Sequence, residues 1–308
     1  MKKFNVFLPF LLLLVSCATA PKAPLSIEGP EAELSLLPAG GKLYIWADTV
    51  KSRPLLDVLS FEGKSGKDVE RILDLTKSAA AVFFPDQERR FYIAASGNYP
   101  SGRANISFAF SKLWKKQKST SGQSYWFSKT DNIALSLGSK LALVSNVDPY
   151  AGVPPQFSAE MPPRGFYDFS SALVLSGWMI NSAETINPFL ELMGIPLQIP
   201  AEDFFFGVAE ARLDIKPWEL VFKIKTASAS HARSLLSLFQ VARLFVSRGA
   251  EPASTAPGGV ALMGPMQAAA VLLANVPEQD GEYLTLRTAS LNEGEIALLF
   301  NLFSLYSN

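Results

Sequence analysis

DFFFGVAEARLDIKPWELVFKIKTAS, residues 203–228, decides the class of fold. Two strand-like runs, DFFFGVAEARLD (203–214) and WELVFKIKTAS (218–228), stand on either side of a turn at Lys216 and Pro217. Long runs rich in Phe, Val and Ile, broken by a proline turn, are the signal of neighbouring strands. The hairpin is followed at once by a helical stretch from about Ala229 to Arg248. Sheet and helix therefore follow one another along the chain, and the class is α+β.

Working outward, the second half reads as a first strand at GFYDF (165–169), apolar helices near SSALVLSGWMI (170–180) and INPFLELMG (186–194), the hairpin, and the long helix. A loop, AEPASTAPGG, comes next, followed by the apolar VALMGPMQAAAVLLANV (260–276), a strand at EYLTLRTASL, and the apolar end EGEIALLFNLFSLYSN. The first half has a comparable order. LYIWADT (43–49) is a strand, and KSRPLLDVL and GKDVERILDLTK are helical by the spacing of Val69, Ile72, Leu73 and Leu75. Strands SAAAVFF and RRFYIAAS flank the turn PDQE. A helix is expected from about Asn105 to Gln117, and strands QSYWFSKT, NIALSLG and KLALVSN follow. Two tandem similar units are expected, each a mainly antiparallel sheet with helices packed on one face. They span 42–150 and 166–308 and are joined by a proline-rich hinge, 151–165, that carries Pro154, Pro155, Pro162 and Pro163.

The N-terminus has another character. Lys2 and Lys3 precede a ten-residue apolar run from Val6 to Val15, the layout of a signal peptide over residues 1–16, and too short to span a bilayer. The only cysteine, Cys17, closes this run just before the proline-rich tail that starts at Ala18. Leu14, Val15, Ser16 and Cys17 resemble the lipobox of bacterial lipoproteins. That resemblance implies cleavage between Ser16 and Cys17, and a diacylglyceryl group on the Cys17 thiol with an acylated, palmitate-like N-terminus. Residues 17–41, with Pro21, Pro24, Pro30 and Pro38 among small and polar residues, read as a lipidated tether in loosely extended form. The body behind it loosely resembles bacterial envelope lipoproteins with an α+β fold, a likeness that implies no activity.

Composition removes several classes of function. From Cys17 onward 26 basic side chains face 28 acidic ones, so no broad positive field exists for nucleic acid. With one histidine, His231, a His-rich metal site is impossible. Gly40–Gly41 and Gly258–Gly259 lack the lysine and hydroxyl of a phosphate loop. The acids Glu202, Asp203, Glu278, Asp280 and Glu282 fall at turns and strand starts. No catalytic residue, cofactor or metal is assigned.

Two surfaces remain. On the long helix a narrow polar stripe of Arg233, Ser237, Gln240, Arg243 and Ser247 leaves most of the circumference apolar. Leu235, Leu238, Phe239, Ala242 and Phe245 are therefore either core, the wall of a hydrophobic-ligand pocket, or a partner face. In KLWKKQK, read as helix, Lys112, Lys115 and Lys116 surround Trp114, an arrangement suited to an anionic membrane surface or simply to a helix C-terminus. The expected role is a lipid-anchored module of the cell envelope that binds another envelope protein. The alternative is a carrier or sensor of a hydrophobic ligand.

Overall fold

The computed structural model describes residues 29–58, 72–84, 89–151, 161–180, 201–213, 216–249 and 265–296, with the single positions 183, 187, 198 and 299. Cys17, the cleavage point at Ser16, the hinge from 152 to 160, nearly all of INPFLELMG and all of the last eight residues lie outside them. The chain divides into two compact units, Met1–Lys51 with Ser60–Pro162, and Ser52–Leu59 with Pro163–Asn308.

Among the described residues unit 1 has seven strands: β1 (Leu43–Asp48), β2 (Thr76–Phe83), β3 (Phe91–Gly97), β4 (Trp114–Lys118), β5 (Ser124–Ser128), β6 (Ile133–Leu137) and β7 (Leu141–Ser145). Their order in the sheet is β1-β2-β3-β7-β6-β5-β4, and neighbouring strands run antiparallel. Side chains alternate between faces along each strand. Tyr44 on β1 lies opposite Val82, and Val82 opposite Tyr92, a fully buried row on one face.

Helix α1 (Pro30–Leu34) is seated on that face, and it corrects the tether expected over residues 17–41. The folded body already includes Gly29, and Leu34 and Leu37 are buried. The anchor of α1 is Glu33, 1% exposed, whose carboxylate accepts hydrogen bonds from Trp46 Nε1 at 3.3 Å and Ser78 Oγ at 2.5 Å. A buried carboxylate is tolerated only when its oxygens are paired in this way. Composition hides the seat because PEAEL, taken alone, is a polar pentapeptide.

Unit 2 holds β8 (Leu175–Ile180), β9 (Ala201–Leu213), β10 (Lys216–Thr226), β11 (Glu278–Asp280) and β12 (Tyr283–Arg287), in the order β8-β9-β10-β12-β11. The opening hairpin forms, β9 against β10, with Phe206 opposite Phe222 and Phe204 opposite Ile224, but Lys216 and Pro217, expected at the turn, begin β10, where Lys216 lies opposite Leu213. Helices α5 (Ala229–Gly249) and α6 (Pro265–Leu272) cover one face. There Leu235, Phe239 and Val246 pack with Ile224, Leu284 and Leu286.

Helix α2 (Arg53–Val58) also belongs to unit 2, where Leu55 shares a core with Val174, Val208 and Leu220. The opposite face carries α4 (Arg164–Ser171), whose Phe166 stacks on Phe205 with ring centroids 6.1 Å apart. Helices thus lie on both faces of this sheet, where one covered face was expected.

Residues 165–180 show the reverse of the expected order. GFYDF is helix and LSGWMI is strand. Phe166 and Ser170 are buried four residues apart, the spacing of a helix turn, while Ser176, Gly177 and Trp178 are buried in succession, as in a strand covered on both sides. A short apolar run of that kind cannot be told from helix by periodicity.

The two units share an order of elements. Each contains a short helix followed by a strand, α1–β1 or α4–β8, whose fourth residue is a buried tryptophan, Trp46 or Trp178. Each indole N–H donates to a carboxylate, Glu33 in one case and Asp203 in the other. Each then adds a hairpin, β2–β3 or β9–β10, a helix, and a returning strand, β7 or β12, that pairs with the hairpin's second strand. Unit 1 carries β4 and β5 in addition.

Candidate functional site

The expected helix over 105–117 is corrected by the structure. Helix α3 (Ser101–Phe110) ends at Phe110, and Trp114–Lys118 is strand β4. Ser111 turns extended, with ψ at 132°, and its N–H donates to the Phe108 carbonyl. No glycine or proline marks this stop, so only the tertiary setting imposes it. The Phe108 ring packs, tilted by 45° and 49°, against Trp114 at 4.9 Å and Trp126 at 5.8 Å, and Trp126 Nε1 donates to Asn105 Oδ1 at 2.7 Å. These contacts hold α3 across β4 and β5 on the face opposite the one carrying α1.

The consequence is a corner with two kinds of exposed group. Helix α3 has no fully buried residue, and Ile106 and Phe110, one turn apart, are 61% and 77% exposed. Leu113, just before β4, is 41% exposed. Beside them Lys112, Lys115, Lys116 and Lys118 are all exposed, and among the described residues none pairs with a carboxylate. Lys116 lies 6.0 Å from the centre of the Trp126 ring. Trp114, expected to offer its indole to a membrane, is half-buried against Phe108. Of the proposed lysine and tryptophan set, the structure thus keeps the cations outward and turns the ring inward.

The strand itself adds a feature that the helical reading lacked. β4 pairs with β5 from Trp114 opposite Ser128 to Lys118 opposite Ser124, and it is the last strand of the unit 1 order. Its outer edge carries backbone donors and acceptors with no strand beside them among the described residues.

The residues proposed on the long helix do not form one surface. Leu235 and Phe239 are core, Ala242 packs beside them, and Leu238 is 47% exposed. The side chain of Phe245 lies outside the described residues. Leu238 instead continues with Val241 and Leu244 along the outer side of the helix. The serine near the histidine has a local role: Ser228 precedes the first turn of α5 and its Oγ accepts the His231 N–H at 3.3 Å, an N-cap.

A cleft that sequence reasoning missed lies in unit 1, on the face of α1. It is an open cleft of about 680 Å³ between Leu36, Leu37 and Pro38 on one side and Leu137, Leu141 and Leu143 on the other. The hydroxyls of Ser136 and Tyr150 bond to one another at its wall, and no charged side chain lines it. Among the described residues no cluster of His, Cys, Asp or Glu is placed to hold a metal, and no helix is long and apolar enough to cross a membrane.

Residues 28–145 match the family model of outer membrane-associated lipoprotein TP0453. These residues contain the whole of the corner and most of the cleft. No curated protein matches the chain. Among solved structures, crystal form III of TP0453 superposes with a TM-score of 0.55 at 15% identity, over 87% of this chain and 97% of that one. Crystal form IV gives 0.53 at 15% identity, over 87% and 96%. Crystal form I gives 0.53 at 14% identity, over 90% and 98%. At such identities the superpositions establish a shared α+β fold. The family match over residues 28–145 supports a lipid-anchored lipoprotein of the bacterial envelope.

Proposed function

We propose that the protein works by binding and not by catalysis, as a module held at its membrane through Cys17 and engaging an envelope partner through the α3–β4 corner of unit 1. One observation carries this reading: Ile106, Phe110 and Leu113 stand in solvent beside four lysines that no carboxylate neutralises among the described residues. Exposed apolar groups rimmed by charge are the ordinary composition of a contact surface.

The test separates the anchor from the corner. In full-length protein, Cys17→Ala should abolish fatty-acid labelling yet leave part of the protein on washed envelope membranes. Adding Phe110→Ser, Lys115→Glu and Lys116→Glu should release that part, with the circular dichroism spectrum unchanged because all three side chains are exposed. Equal retention of the two proteins would overturn the reading.

The cleft beside α1 supports a second reading, a carrier of a hydrophobic ligand, because its volume lies within the range of small-molecule sites and its walls are mostly leucine and proline. Native mass spectrometry of the full chain should then show a bound mass that Leu141→Trp, filling the cleft, removes. A bare mass before and after would count against it.

A further inference from the structure

The geometry points to the identity of what the corner binds: an acidic, extended segment of a partner protein that adds to the free edge of β4 as a further strand. The inference rests on the corner being the contact surface and goes beyond that reading in naming the partner's chemistry. β4 is five residues long and hydrogen-bonds to β5 along one side only, so its other side can accept a strand. Exposed edges are commonly guarded by lysine, which opposes pairing between like copies. That guard acts here: two β4 edges side by side would bring Lys115, Lys116 and Lys118 of each copy together, so a second copy of this chain is disfavoured.

The same charges select an acidic strand. Along β4, Lys116 and Lys118 share one face with Trp114, and Lys115 shares the other with Gln117, so cations stand on both faces of the edge. An incoming strand with carboxylates on both of its faces meets a lysine on each side. Gln117 is already engaged, its Oε1 accepting the Tyr125 hydroxyl at 2.8 Å, so the lysines are the groups left to read charge. Leu113 and Phe110, at the start of the strand, offer an apolar seat for the end of the segment. Such a complex would be salt-sensitive, because charges at a solvent-facing edge are screened.

The experiment uses full-length Cys17→Ala protein and three probes: an end-blocked peptide alternating glutamate and valine, its fully N-methylated analogue, and vesicles of phosphatidylglycerol. The peptide is expected to bind and to slow hydrogen exchange in residues 114–118. Its affinity should fall about tenfold or more with Lys115→Glu and Lys116→Glu together, in keeping with loss of interfacial charge pairs, and N-methylation should abolish binding. Equal binding of the methylated peptide would show attraction without strand addition and overturn the inference. Binding of vesicles but not of peptide, with the corner variant still released from membranes, would make the partner a lipid surface and leave only the corner reading standing. No binding of any probe, with the corner variant retained on membranes, would remove both.

Discussion

Tyr99 shows how much one side chain can set. It is 8% exposed, its hydroxyl bonds with Thr76 Oγ1 at 3.0 Å, and Thr76 Oγ1 in turn donates to the Ile72 carbonyl at 2.7 Å. Burial pushes the phenol above its usual value of 10.0, the Thr76 bond opposes this, and the Glu33 carboxylate adds to the rise. A raised native value means that the unfolded chain loses its proton first as pH climbs. The stability this group contributes is therefore complete below about pH 10 and is lost as pH rises from there through the native value. Urea unfolding midpoints between pH 9 and 11 should fall more steeply for the wild type than for Tyr99→Phe. At neutral pH the variant should be less stable by about 1 kcal/mol, the worth of one hydrogen bond. Parallel pH profiles would show that Tyr99 does not carry the effect. None of this is visible in the sequence, where Tyr99 sits in the polar stretch GNYPSG and reads as loop.

At the scale of elements, the hairpin β9–β10 was legible because its signal is local, two long strand runs close together, although Pro217, read as the turn, is the second residue of β10. What the letters conceal is how closely its neighbours approach. A Cβ on Gly207 would lie 2.4 Å from Leu173 Cδ1 and 2.5 Å from the Leu175 carbonyl oxygen, and a backbone atom cannot swing aside. Gly207→Ala is expected to destabilise unit 2 by about 1–3 kcal/mol, the usual range for overpacking, read as a lower thermal midpoint. An unchanged midpoint would mean that β8 and β9 can part without cost. Helix α3 and strand β4 make the opposite case. The segment from Asn105 to Gln117 has no stop signal and ample helix formers, yet Phe108 recruits Trp114 and Trp126 and the chain turns extended at Ser111. Tertiary packing here overrides a weak local preference.

The division of the whole molecule departs from a simple cut between halves. Leu55, 3% exposed, lies in a helix that the chain reaches between β1 and β2, but it packs with Val174, Val208 and Leu220 of unit 2. Leu55→Ala should therefore cost about 2–5 kcal/mol in unit 2 and leave unit 1 as it was. Site-resolved hydrogen exchange would show this as lost protection in β8–β10 with β2, β3 and β7 unaffected. Loss in unit 1 alone would contradict the division. A fragment starting at Pro163 would lack this side chain, so separating the units at the proline-rich hinge would leave unit 2 with a hole in its core.

From the sequence alone came the envelope address, read from Lys2 to Cys17, the α+β class, and the long helix after the hairpin. These signals lie within a few residues of one another, in a hydrophobic run, a period or a turn. Tertiary structure alone decided that Glu33 seats α1 on the sheet, that LSGWMI is a strand, that Leu55 serves unit 2, and that β4 ends its sheet with lysines along a free edge. Each of those depends on groups far apart in the chain, such as Glu33 with Ser78, Leu55 with Val208, or Phe108 with Trp126. The energy of such pairings is realised only once the chain has closed the loop between them, and no local pattern of residues encodes it.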